Sequence, residues 1–275
     1  MTHVSSGRIR PAAVAGMFYS RDRLELVQAL DAMLAGAPQS APNDPIPKAI
    51  IAPHAGYVYS GPIAASVYAR LKPARGRIER VVLLGPTHRV AVRGLALPDT
   101  DAFATPLGTV PIDREAVDAI GKLPQMTASS AAHAFEHSLE VHLPFLQSVL
   151  ERFTLVPLAV GYAEAAQVAE VLEALWGGAE TLIVASSDLS HYHAYHEAQA
   201  LDQSTAEAIL KLKTDITHEQ ACGATPVIGL NLAAQRRRLR PQLLDLRNSG
   251  DTAGDRSRVV GYGAFAFFED RGDER

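Results

Sequence analysis

The sequence predicts an α/β protein with a central, largely parallel or mixed sheet flanked by helices, and three observations carry that expectation. Short apolar runs of strand length alternate with stretches of helical period along most of the chain. Several of these runs end in polar, histidine-bearing loops, as expected where the carboxyl ends of parallel strands form a crevice. A composition of 47% hydrophobic and 20% charged residues supplies apolar surface for one continuous core, so residues 1–275 are read as a single domain.

Taken in order, Ser20 is placed to cap a helix whose Leu24, Val27, Leu30 and Leu34 share one face. Lys48–Ala52 is a buried strand that delivers Pro53-His54-Ala55-Gly56-Tyr57 to a loop. A helix then opens at Ser60-Gly61-Pro62 and runs to about Leu71, with Pro62 early enough that its missing N–H does no harm. Arg80–Leu84 repeats the theme and ends in Gly85-Pro86-Thr87-His88. Between Ala91 and Ile112, prolines and a glycine divide short strands or a hairpin at one edge of the sheet. Glu136–Leu150 reads as a helix bent near Pro144, and Phe153–Val160 and Thr181–Ala185 as buried strands joined by the helix Ala163–Leu175. The last of these strands runs into Ser186-Ser187-Asp188-Leu189-Ser190-His191, followed by a helix over Glu197–Leu212. A helix over Thr225–Gln235 starts just after Cys222-Gly223, and strands near Leu243–Asn248 and Val259–Phe268 close the chain.

Charge narrows the function classes. The net charge is −4, with 26 basic against 30 acidic residues and no basic stripe, so nucleic acid is not an expected partner. The one basic cluster, Arg236, Arg237, Arg238 and Arg240, falls where a helix C-terminus favours cations. Cys222 is the sole cysteine, so no intrachain disulfide forms, and a cytoplasmic location is expected. No apolar run approaches a membrane span, and Met1–Arg10 lacks the apolar stretch of a secretory signal.

His54 and His88, both just past strand ends, suit a transition metal that prefers rigidly held nitrogen or sulfur donors. Cys222 precedes a helix start, where the dipole and free N–H groups favour a thiolate, able to act as ligand or nucleophile. His133-Ala134-Phe135-Glu136-His137 matches the pattern of inverted zinc proteases, but the loop-like Thr127–Ala132 before it argues against one helix carrying both histidines. Ser187, Asp188 and His191 are too close in sequence for a hydrolase triad. Gly261-Tyr262-Gly263 precedes a strand, so no nucleotide-phosphate cradle is expected.

Read together, Pro53–Tyr57, Gly85–His88, Glu136-His137-Ser138-Leu139-Glu140-Val141-His142-Leu143-Pro144, Ser186-Ser187-Asp188 with His191, and Cys222-Gly223 resemble the Memo family. The resemblance extends from the block Arg10–Tyr19 to the block Val260–Phe265. It implies a single domain like that of the class III extradiol dioxygenases, non-haem iron proteins with a metal site at strand ends. On that resemblance His54, His88 and Cys222 match the metal ligands. His137, His191 and Asp188 are expected to do acid/base work, and Tyr57 and Glu136 to contact substrate. The dioxygenases complete the metal with a carboxylate or a third imidazole where this chain has Cys222; a softer thiolate shifts preference among iron, copper and zinc. The implied cofactor is therefore a divalent or redox metal, iron first, with copper or zinc as alternatives. Three functions are compatible with the resemblance: dioxygenase-like redox chemistry, a vestigial metal pocket that binds a peptide or protein, and metal-dependent hydrolysis. The ligand is an unspecified small molecule or peptide, and the family's bacterial and archaeal gene neighbourhoods suggest a radical-SAM pathway partner.

Overall fold

The structure is a computed structural model and describes residues 8–41 and 44–270. Residues 1–7 of the N-terminal stretch read above for a secretory signal lie outside the described residues. The described chain begins with a short strand, β1 (Ile9–Arg10), and helix α1 (Arg23–Gly36). Asp22, not Ser20, caps α1, its carboxylate accepting the N–H groups of Leu24 and Glu25, while Ser20 Oγ donates to Glu25. The buried stripe is Leu26, Leu30 and Leu34, and Leu24 is 66% exposed. Leu24 was expected on the apolar face, but it lies two residues from Leu26, about 200° of helical rotation away.

Strand β2 (Ala49–Ala52) leads through the His54 loop into α2 (Tyr57–Tyr68), which begins before the Ser60-Gly61-Pro62 signal. Pro62 therefore sits inside the helix, where it removes a hydrogen bond, and burial of most of α2 offsets that loss. Then follow β3 (Arg80–Pro86), β4 (Leu95–Leu97), β5 (Ala102–Thr105), β6 (Gly108–Pro111), α3 (Arg114–Ile120) and β7 (Met126–Ala128). The hairpin of β5 and β6 joins β1 in a separate three-stranded sheet instead of edging the main one.

The helix expected over Glu136–Leu150 is broken. Helix α4 (Ser130–Ala134) stops at Phe135, an irregular link follows, and a 3-10 turn, Glu140–His142, leads into α5 (Leu143–Val149) with Pro144 in its first turn. Competing hydrogen bonds break it: the Glu136 carboxylate takes the N–H groups of His137 and Ser138, and Ser138 Oγ donates to the distant Pro86 carbonyl. These contacts replace a helical turn.

The remaining elements are β8 (Thr154–Val160), α6 (Ala165–Ala174), β9 (Thr181–Ser186), β10 (His191–His193), α7 (Tyr195–Leu210), α8 (Ala224–Arg237), β11 (Arg240–Asn248) and β12 (Val259–Phe268). Strands β2, β9, β3 and β8 run parallel, in that order, through the centre of the main sheet. Antiparallel partners close both sides: β12, itself paired with β10 and β11, lies on β2, and β4 lies on β8 with β7 beyond it. This is an α/β fold with a mixed sheet. Helix α2 packs on β2, β11 and β12 with α1 and α5 outside it, and α8 packs on β3 and β9 backed by α6.

Ile50, Ile51, Val81 to Leu84, Leu155, Val156, Ile183 and Val184 are fully buried, each contributing roughly 1.5–3 kcal/mol over exposure, and they make the strand ends a rigid base for their loops. The arginine cluster behaves as expected: Arg236 and Arg237 lie in the last turn of α8, Arg237 pairs with Glu173, and Arg240 pairs with Asp270. Among the described residues, no helix is long and apolar enough to cross a membrane.

Candidate metal centre

The carboxyl ends of β2, β9 and β3 deliver His54, Ser186 to Asp188, and His88 to the same end of the sheet. The two histidine strands are not neighbours: β9 lies between them, with Ser186 in register with Ala52. That intervening strand supplies the group that orients His54.

Ser186 Oγ donates to the Ser138 carbonyl at 2.6 Å and lies 2.6 Å from His54 Nδ1. A hydroxyl has one proton to give, so Nδ1 must be the donor in the second contact, and the lone pair falls on Nε2. Nε2 is the nitrogen that faces Cys222 Sγ, at 3.3 Å. The His54 main-chain N–H donates to Asp188 Oδ1 at 2.7 Å. Burial, with like charges of His88 and His137 in reach, holds the His54 imidazolium well below its usual range, so the ring is neutral.

His88 is oriented in the same way by a different group. Its main-chain N–H donates to Glu136 Oε2 at 2.5 Å and its Nδ1 to Oε1 at 2.8 Å, which again leaves Nε2 free. Burial alone would raise the Glu136 pKa, but the N–H groups of His88 and Ser138 outweigh it and bring the carboxyl down to about 2. With four N–H donors on a carboxylate only 1% exposed, Glu136 is turned to the protein and not to the cleft, so the expected substrate contact is instead a hold on His88. Gly85 makes this arrangement possible, because a Cβ there would stand 3.0 Å from both Ser138 Oγ and Ser186 Cβ.

Cys222 reaches the pocket from the loop before α8, its N–H donating to the Asp188 carbonyl at 3.3 Å. Gly223 lets that loop close on β9: a Cβ would lie 2.5 Å from the Ser186 carbonyl oxygen, and its N–H donates to Ser187 Oγ at 2.9 Å. The expected thiolate is not stabilised. Burial and the Asp188 charge push the thiol up to about 12, outweighing the helix start, so the metal-free side chain is protonated.

One ligand atom from each of His54, His88 and Cys222 lies within 4.8 Å of the others. Nitrogen and sulfur ligands at zinc-like bond lengths and a tetrahedral angle stand ~3.6 Å apart. The 3.3 Å between Cys222 Sγ and His54 Nε2 is close to that spacing, so two imidazole nitrogens and a thiol sulfur fit one borderline-soft ion.

The other expected residues divide. The His137 ring stacks on His88 with centroids 4.6 Å apart and meets His54 edge-on at 5.5 Å; burial brings its pKa down to about 4. His191 Nδ1 donates to the Leu189 carbonyl at 2.8 Å, leaving Nε2 as the basic nitrogen, and burial lowers its pKa. Burial raises Asp188 to about 7, against the N–H groups of His54 and Ala55 that favour its charged form. Tyr57 does not present a donor to a ligand: its hydroxyl donates to the Val141 carbonyl at 2.6 Å and its ring is buried between Tyr19 and Phe145. It supports the wall instead of touching substrate.

The protease-like pattern breaks because α4 ends at Ala134, and His133, which does lie in that helix, turns its Nε2 to the Ala96 carbonyl at 2.9 Å. Ser187 Oγ donates to the Asp188 carbonyl, which excludes a triad relay.

Sequence reading missed the orienting serines, Ser138 and Ser186, and a buried pair beneath the site. Arg10 binds Glu140 at 2.5 Å and donates to the carbonyls of His133 and Glu136, while Glu140 also accepts from Ala13, Val14 and Tyr19. This pair ties the N-terminal segment to the link that carries Glu136, and Phe18 from that segment packs on His137 at 4.8 Å. The partners Arg10 and Glu140 lie 130 residues apart, so neither carries a local signal for this role. A cleft of about 440 Å³ is lined by two of the trio, His88 and Cys222, with Arg89, Tyr162 and His218 among others.

Residues 10–266 match the family model described as Memo-like protein. A MEMO1 family protein of Aquifex aeolicus is 39% identical over 93% of this chain and 97% of its own. Relatives of the same description from Methanopyrus kandleri and Sulfolobus acidocaldarius are 36% and 33% identical, over 94% and 92% of this chain and 98% and 97% of theirs. A crystal structure of an uncharacterized protein from Escherichia coli K12 aligns at TM-score 0.49 and 14% identity, over 78% of this chain and 98% of that one. The match extends over nearly the whole sequence and takes in every residue of the trio, and on it the chain belongs to the Memo-like protein family.

Proposed function

We propose that the protein is a metalloprotein in which His54, His88 and Cys222 bind one transition metal, iron first and copper or zinc next, for redox or oxygen chemistry on a small molecule. One observation carries this reading: both imidazoles have their Nδ1 atoms engaged by neighbours, so two Nε2 lone pairs and a sulfur converge within 4.8 Å. A bound ion of this kind supplies Lewis acidity and, for iron or copper, a one-electron couple. On this reading the groups that take and return a proton are His137, stacked on His88, and His191, whose Nδ1 is bonded to the Leu189 carbonyl. Asp188 anchors the His54 main chain and is the third proton-carrying candidate.

Elemental analysis after loading under reducing conditions tests the reading. One equivalent of iron, copper or zinc per chain is expected, with uptake lost in the double variant His54→Ala, His88→Ala. Undiminished uptake by that variant overturns it.

A further inference from the structure

The cleft beside His88 and Cys222 has one fixed charge on its lining, the Arg89 guanidinium. Its lining carries His88, Arg89 and His218 but no aspartate or glutamate. Arg89 directly follows a candidate ligand, and among the described residues it forms no ion pair or hydrogen bond. Much of the remaining lining is apolar, with Pro86, Val90, Ala91 and Val160 together with Tyr162, a residue 79% exposed. A guanidinium left without a counter-ion next to an apolar slot is matched by a molecule with one anionic group and a flat or short apolar body.

We infer that Arg89 anchors the carboxylate of a small organic substrate lying in this cleft, with the substrate's body against Tyr162 and Val90 and facing His88 and Cys222. The inference rests on the metal-pocket reading for its site but not for its test. A monoanion fits better than a phosphate dianion because the cleft offers one fixed cation, and the first main-chain N–H of the nearby helix start, at Gly223, is already taken by Ser187 Oγ. The planar fork of arginine binds a carboxylate through two parallel N–H groups, which an ammonium cannot reproduce.

The test is calorimetric titration of the metal-free protein with benzoate, benzamide and phenyl phosphate. Benzoate is expected to bind about tenfold or more tightly than neutral benzamide, the Arg89→Gln variant to lose that advantage, and Arg89→Lys to keep part of it. Metal uptake is expected to be unchanged in Arg89→Gln. Equal affinity of Arg89→Gln and wild type for benzoate overturns the inference, as does equal binding of benzamide and benzoate, or no benzoate binding at millimolar concentration. Phenyl phosphate binding tenfold more tightly than benzoate also overturns it, in favour of a phosphate site. Because these titrations contain no metal, their failure is separable from a failure of metal uptake by the wild type.

Discussion

Ser186 Oγ and His54 Nδ1, 2.6 Å apart, decide which nitrogen of the imidazole faces the pocket. The hydroxyl's proton is committed to the Ser138 carbonyl, so the ring must donate at Nδ1 and present its lone pair at Nε2.

Replacing Ser186 by alanine removes that constraint and leaves a buried N–H without an acceptor. Metal affinity is expected to fall about 10–100-fold, and stability of the metal-free protein by about 1–3 kcal/mol. Competition with a chromophoric chelator and urea unfolding measure the two effects. Unchanged metal affinity would mean that the ring is oriented by something else.

Glu136→Gln tests the partner arrangement at His88. The amide keeps one acceptor oxygen but turns an NH₂ group toward N–H donors that the carboxylate now satisfies. Metal affinity is expected to drop about 10–100-fold here too, and the Ser186→Ala, Glu136→Gln double variant to fall below either single one. If the single variant binds metal like wild type, the carboxylate is only structural.

Arg10 and Glu140 form a buried pair with side chains 3% and 0% exposed, and removing one charge strands the other. Arg10→Met is expected to destabilise the protein by about 3–5 kcal/mol, read as a lower urea midpoint. The same variant frees the carbonyl of Glu136, so weaker metal binding should accompany it under conditions where it remains folded. A midpoint within experimental scatter of wild type contradicts the bracing role.

Acid should destabilise the metal-free fold through His133 and His142, which burial holds at about 4 and about 3. Both are neutral when folded and take up a proton when unfolded once the pH is below about 6.5. The unfolded chain therefore binds more protons in that window, so stability is complete above it and declines as the pH falls, by about 1.4 kcal/mol per pH unit for each histidine. Urea midpoints at pH 7, 6 and 5 should descend, and His142→Phe should flatten the descent. An identical slope in that variant removes His142 from the account.

The strand ends were legible because continuous Val, Ile and Leu runs stop abruptly at His54, His88 and Asp188, and a buried parallel strand has no other way to write itself. Strand order was not legible: nothing local says that β9 separates β2 from β3, since that depends on helix packing between distant segments. The link at Glu136 was misread as helix because its apolar spacing continues through Leu139 and Leu143, while the contacts that break it come from His88 and Pro86, about fifty residues earlier. Tyr57 was assigned to substrate from its place in the His54 block, yet its hydroxyl turns to Val141. Cys222 was placed correctly beside the histidines, but its protonation followed from burial and Asp188, neither visible in its neighbours along the chain.

The most direct measurement is X-ray absorption of the zinc-loaded protein, with zinc as a probe of the ligand set. The account predicts one sulfur neighbour at about 2.3 Å with nitrogen or oxygen neighbours at about 2.0–2.1 Å, and loss of the sulfur shell in Cys222→Ser. A wild-type spectrum with no sulfur neighbour would show that His54, His88 and Cys222 do not share an ion.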